Sequence, residues 1–134
     1  MQSLLQPSMG DQLLWFETLL KGVIGLVMLL FPVSAARLAG LPHAASAAIW
    51  ARLFGTALIG IAGAFAVEGY NQAGGAIAAK GLGLGGGVII NLSAVLSLFG
   101  ILIFGAVSTW RGRVLIWLFI VLLLFLTVLE IAHV

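Results

Sequence analysis

Cysteine is absent from this chain of 134 residues. Its absence excludes disulfides, thiolate metal sites and thiol catalysis, and leaves the compartment open. Charge is almost as scarce: Asp, Glu, Lys and Arg together make up 7% of residues, against about 25% in ordinary globular proteins. A soluble fold of this size covers its surface with polar groups, and this chain does not have them. Six basic and four acidic residues give a net charge of +2 with no basic patch, so no nucleic-acid partner is expected. HExxH, GxSxG and a close acid pair on one helix are all missing. No catalytic residue, metal or cofactor is therefore implied, and the chain reads as non-enzymatic.

What is present is apolar: 63% of residues are hydrophobic. Four stretches are each long enough for the roughly 20 helical residues that cross a hydrocarbon core. They run from about Gln12 to Phe31, Ser46 to Glu68, Gly81 to Val107 and Arg113 to His133. Backbone groups cannot go unpaired in lipid, and the alternating strands of a barrel are missing, so each span is expected to be helical. The expected fold is all-α, a single membrane domain over residues 1–134 built as a four-helix bundle. Met1 to Leu20 holds no Lys or Arg, so the basic n-region of a signal peptide is missing. The apolar run continues past Glu17 and Lys21 to Phe31 and reads as a retained first helix.

Charge placement orients the bundle. With four spans, the face holding the N-terminus also holds the turn-rich loop Gly69 to Gly75 and the C-terminus. The opposite face holds Arg37, Arg111 and Arg113, with Arg52 two turns inside the second helix; the first face has only Lys80 near its surface. The positive-inside rule makes the arginine face cytoplasmic and places both chain ends outside. All four acids, Asp11, Glu17, Glu68 and Glu130, lie at or toward the outer face. Trp50 and Trp110 on one side, and Trp15 and Tyr70 on the other, fall near the expected interfaces, where amphipathic rings are favoured.

Small residues recur at four-residue spacing. The second helix has Ala47, Ala51 and Gly55 on one line and Thr56, Gly60 and Ala64 on another. The third opens with Gly81, Gly83, Gly85, Gly86 and Gly87, holding two overlapping GxxxG spacings. Such rows let backbones approach closely, either inside the monomer or at an oligomer interface. The GxGxxG match at Gly81 to Gly86 lacks the preceding strand that a dinucleotide loop requires, and no GK[ST] follows Lys80.

The ionisable residues inside the spans are the candidate site. A charge at the bilayer centre costs about 2.5–3.5 kcal/mol on insertion scales. Glu17 and Lys21 are spaced i, i+4 with the acid first, the favourable order. Lys21 lies about 12 Å below the start of the apolar run at 1.5 Å per residue. Glu68, Thr127, Glu130 and His133 lie toward the same leaflet, so carboxylates, a lysine and a histidine are placed to gather in the outer half. Two readings stand side by side. In one, Glu17–Lys21 is a neutralised internal pair and Glu68, Glu130 and His133 mark helix ends; in the other, they form a proton- or cation-linked site. Arg52 is placed to meet lipid headgroup phosphates. Asn91, mid-span, needs a partner for its amide, with an interhelical hydrogen bond expected ahead of ligand binding. His43 and His133 fall on opposite faces and cannot pair as haem ligands.

Phe31-Pro32 closing an apolar helix, Leu38-Ala39-Gly40-Leu41 in a short loop, and Arg52-Leu53-Phe54-Gly55 opening a glycine-spaced helix resemble the layout of small bacterial four-helix membrane proteins of the DoxX-like and related unknown-function families. The resemblance spans Gly25 to Gly63. It implies a four-helix fold in a bacterial inner membrane and brings no catalytic residues. The expected function is a non-enzymatic subunit, homo-oligomeric or part of a larger membrane complex, working in lipid through helix-face contacts. The alternative is a small proton- or cation-linked transporter or channel using the outer-leaflet charges.

Overall fold

The computed structural model describes residues 8–75, 77, 81–104 and 107–134. The described residues form five helices: α1 (Met9–Leu30), α2 (Pro32–Leu38), α3 (Ala44–Gln72), α4 (Leu84–Ile103) and α5 (Trp110–His133). All but α2 are long and apolar enough to cross a membrane. At 29 residues, α3 extends about 43 Å at 1.5 Å per residue, well beyond a hydrocarbon core of about 30 Å. Lys80 lies outside the described residues.

Local chemistry sets the helix ends. Ser8 caps α1 in a capping box with Asp11, each side chain bonding the other's backbone N–H, which satisfies two orphan donors. Pro32 cannot donate into a continuing helix, so α1 stops at Phe31 and Pro32 restarts the chain as α2. The connection expected as loop from Val33 therefore begins as a short helix. Gly40, at φ 71°, turns the chain after α2 in a backbone region that glycine adopts freely. The third span starts at Leu84, later than its glycine run suggests: Gly83 is extended and acts as the N-cap. Thr109 caps α5 by accepting a 3.1 Å bond from Gly112 N–H.

The helices assemble as two antiparallel pairs. α1 lies on α3, with Gly25 against Gly55, Gly22 near Ala62, Lys21 on Phe65 and Trp15 over Gly69. The crossing is backbone to backbone: a Cβ added to Gly55 would sit 2.6 Å from the Gly25 carbonyl oxygen and 2.9 Å from Leu29 N. α4 lies on α5 through Val95, Ile116, Ile120 and Leu123, with Phe99 and Trp117 in an edge-to-face contact at 5.3 Å. Besides the stretch leading into α4, where the Leu82 N–H donates to the Ala64 carbonyl at 2.9 Å and Gly81 lies against Glu68, the two pairs meet in two places. One is the turn after α2, where the Ser108 N–H donates to the Gly40 carbonyl at 2.9 Å and Gly112 abuts the Ala39 carbonyl. The other is a polar seam between α1 and the α4–α5 pair.

The small-residue rows divide accordingly. Ala51 and Gly55 are buried in α3, and Gly87 is buried in α4. Gly60 and Gly83 have no described atom within 4 Å of an added Cβ, so neither packs closely against the described residues. Gly55→Leu is expected to destabilise the protein by about 1–3 kcal/mol or more, as an overpacked contact does. Gly60→Leu should leave the melting temperature in detergent near wild type. Equal losses in the two variants would contradict the α1–α3 crossing.

Candidate functional site

Four polar side chains from three helices converge in the seam. Glu17 and Lys21 sit one turn apart on the face of α1 that ends at Gly25. Asn91 comes from α4 and Glu130 from α5. Glu17, Asn91 and Glu130 are fully buried and Lys21 nearly so. Groups of this kind remain in an apolar interior only when paired and hydrogen-bonded.

The pairing centres on Asn91. Lys21 Nζ forms an ion pair with Glu17 Oε2 and donates to Asn91 Oδ1 at 3.0 Å. The Asn91 amide nitrogen donates to Glu17 Oε1 at 2.8 Å and to Glu130 Oε2 at 3.1 Å. The amide thus uses its carbonyl and both N–H groups, and both Glu17 oxygens are occupied. The Phe65 ring of α3 lies under the Lys21 ammonium at 5.1 Å, a cation–π contact that takes up part of the remaining charge. Among the described residues no group of three or more His, Asp and Glu is arranged to hold a metal.

Glu130 is the exception to this satisfaction. Its Oε1 is buried and has no hydrogen-bond partner among the described residues. Thr127, one turn back, spends its hydroxyl on the Leu123 carbonyl at 2.8 Å. Gly87 leaves the room that the Glu130 carboxyl fills: a Cβ there would lie 3.0 Å from Glu130 Cδ and overlap Oε1. The network holds two carboxyls and one ammonium, so it is one positive charge short when every group is ionised.

No known protein family, curated protein or solved structure matches the chain.

A depression lies near one end of the network. Ser8, Gly10, Gln72, Leu84, Gly85 and His133 line a depression of about 390 Å³ at one end of the helices. Glu130 lies one turn before His133, about 4–5 Å along the axis, and Gly87 one turn after Leu84. In the opposite direction the seam runs into the apolar cluster of Val95, Val107, Ile116, Ile120 and Leu123.

Of the residues singled out from the sequence, Glu17, Lys21, Asn91 and Glu130 come together; Glu68 and His133 do not join them. Glu68 accepts from Gln72 Nε2 at 3.0 Å near the end of α3. His133 is exposed and its Nδ1 donates to the Leu129 carbonyl at 2.7 Å, at the rim of the depression. Arg52 is exposed on α3. Sequence reasoning gave Asn91 an interhelical hydrogen bond without making it the hub. Depth was the available signal: Asn91 lies seven residues into α4, about 10 Å from its start, close to the depth of Lys21.

Proposed function

We propose that the protein is a small proton-linked transporter, its four long helices crossing a bacterial inner membrane as a bundle with both chain ends outside. The observation that carries this reading is the buried, unpartnered Glu130 Oε1 in a network with one carboxyl in excess. Glu17 is matched by Lys21. A proton on Glu130 Oε1 gives a neutral network, whereas its loss leaves an unmatched negative charge in a medium that penalises it. Intramembrane carboxyls of this kind recur in proton relays and transport. The depression beside His133 lies about one turn beyond Glu130 and supports entry of the proton from the outer face. The apolar cluster on the far side prevents an open channel and supports a site that is loaded from one side at a time.

The position of the network connects the proton to movement. Between the α1–α3 and α4–α5 pairs, α1 touches α4 and α5 only sparingly, in contrast to the close packing within each pair. When Glu130 loses its proton, two carboxylates share one lysine and one amide across this seam, and their repulsion acts directly on the joint. Reconstituted wild-type protein is expected to carry a pH-gradient-driven proton flux in proteoliposomes, and Glu130→Gln to abolish it while remaining folded. Wild-type vesicles no leakier than empty ones, or undiminished flux in the variant, would refute the transport reading.

A second reading, an oligomeric or accessory subunit acting through helix faces, is favoured by a separate observation. Gly60 and Gly63 lie on the exposed side of α3 with open space where a Cβ would be, in line with the exposed Thr56. Particle size in mild detergent separates the readings: an assembly built on this row breaks down in Gly60→Leu, while a transporter that works without the row keeps its flux.

A further inference from the structure

The arginines lack counter-charges of their own. Among the described residues the only ion pair is Lys21–Glu17. Every acid in the chain is engaged elsewhere: Asp11 with Ser8, Glu17 with Lys21, Glu68 with Gln72 and Glu130 with Asn91. Arg37, Arg52, Arg111 and Arg113 must take any counter-charge from outside the protein. Arg37 and Arg111 share a depression of about 420 Å³ with Ser34, Leu38 and Thr109.

The walls of this depression are fixed to one another. It lies where the turn after α2 docks onto the start of α5, and there the Gly40 carbonyl accepts from both the N–H and the hydroxyl of Ser108, at 2.9 and 3.0 Å. Gly112 lies so close to Ala39 that an added Cβ would fall 2.5 Å from its carbonyl oxygen. The two guanidinium groups therefore project from backbones that are already in contact. Arg111 also sits in the first turn of α5, which holds no acid. A helix N-terminus is electropositive and favours an anion over a cation, so Arg111 adds to the local positive field. Exposed Leu38 and Trp110 flank the arginines and offer an apolar surface beside the charges.

We infer that this cleft binds the phosphodiester of an anionic phospholipid, held between Arg37 and Arg111 with Ser34 and Thr109 as further polar contacts. Guanidinium groups match phosphate oxygens in a fork geometry, and the flanking apolar surface suits an acyl chain better than bulk water. The ligand joins the two helix pairs at the end opposite the Glu17–Glu130 network, so its binding stabilises their docking. The inference rests on the membrane-spanning reading and is independent of a proton on Glu130.

The test is thermal unfolding in detergent with phosphatidylglycerol, phosphatidylcholine or inorganic phosphate added. Wild type is expected to gain stability with phosphatidylglycerol and little with the other two. R37Q/R111Q should bind phosphatidylglycerol about tenfold more weakly or worse, as loss of two interfacial arginines implies. R113Q, which removes a nearby arginine that does not line the depression, should retain the wild-type response. R37K/R111K keeps both charges and should fall between, because it loses the fork. Three outcomes overturn the inference: no response to phosphatidylglycerol, an equal response to free phosphate, or an equal loss in R113Q. Failure of wild type to float with liposomes would instead reject the membrane reading beneath it.

Discussion

Lys21→Met is expected to lower stability by about 3–5 kcal/mol, the scale for removing one partner of a buried ion pair. The variant keeps the bulk of the aliphatic stem, so the loss reports charge more than volume. It leaves Glu17 without its ammonium and places two carboxyls on one Asn91 amide, with nothing to offset them. It also takes the cation from the face of Phe65, which lies 5.1 Å from Nζ in the wild type. The double variant Glu17→Gln/Lys21→Met should recover most of the loss, because replacing both members of a buried pair is often neutral. Unfolding midpoints of the two single variants and the double variant give the coupling directly. A Lys21→Met protein as stable as wild type would mean that Lys21 is solvated and that the seam is not as described.

Asn91→Leu is expected to cost a comparable amount for a different reason. The side chain makes three hydrogen bonds in the network, to Glu17, Lys21 and Glu130. Leucine is of similar size and can make none of them. One oxygen on each glutamate and one ammonium N–H lose a partner, and a buried group left unsatisfied costs about 1–3 kcal/mol. The network responds as a unit, so the total is on the order of 3–5 kcal/mol and not a strict sum. Ser93→Ala is the control on the same helix: its hydroxyl bonds to the Ile89 carbonyl and is exposed, so its loss should be near zero. Similar small losses in both variants would remove Asn91 from the centre of the site.

The sequence made some parts of this architecture legible and hid others for identifiable reasons. Long apolar runs separated by Pro32, the stretch Gly69–Gly75 and Ser108–Gly112 mark the four long helices, because length and hydropathy are local properties, although Gly69 to Gln72, expected as loop, complete α3 and only Ala73 onward turns. The Glu17–Lys21 pair was legible because i, i+4 spacing fixes a shared face. Which faces meet across helices was not. In an apolar chain lipid-facing and core-facing residues are equally hydrophobic, so periodicity carries no inward direction. Gly55 and Gly60 look equivalent in sequence, yet one meets the Gly25 backbone and the other meets none of the described residues. The same ambiguity hid Asn91 as the hub and grouped Glu68 and His133 with residues that they do not touch. α2 escaped notice because seven residues beginning at a proline carry too little pattern to distinguish a helix from a turn.

The proposed mechanism also connects two features that the linear chain keeps far apart. Gly87 has a packing role that glycine spacing alone would assign to helix–helix contact, and in the structure its missing side chain accommodates the Glu130 carboxyl. Any side chain at that position displaces the carboxyl from Asn91 or forces α4 and α5 apart. The small residue is therefore part of the site as well as of the packing.

Infrared difference spectroscopy of the lipid-reconstituted protein between acidic and alkaline buffer tests the central claim most directly. A protonated carboxyl has its own C=O stretch, distinct from that of a carboxylate, and burial without a hydrogen-bond partner at Oε1 sets it apart from exposed acids. The account predicts a carboxylic-acid band that disappears reversibly as pH rises, is missing in Glu130→Gln and persists in Glu68→Gln. A wild type with no titrating carboxyl band, or a band that survives in Glu130→Gln, would contradict it.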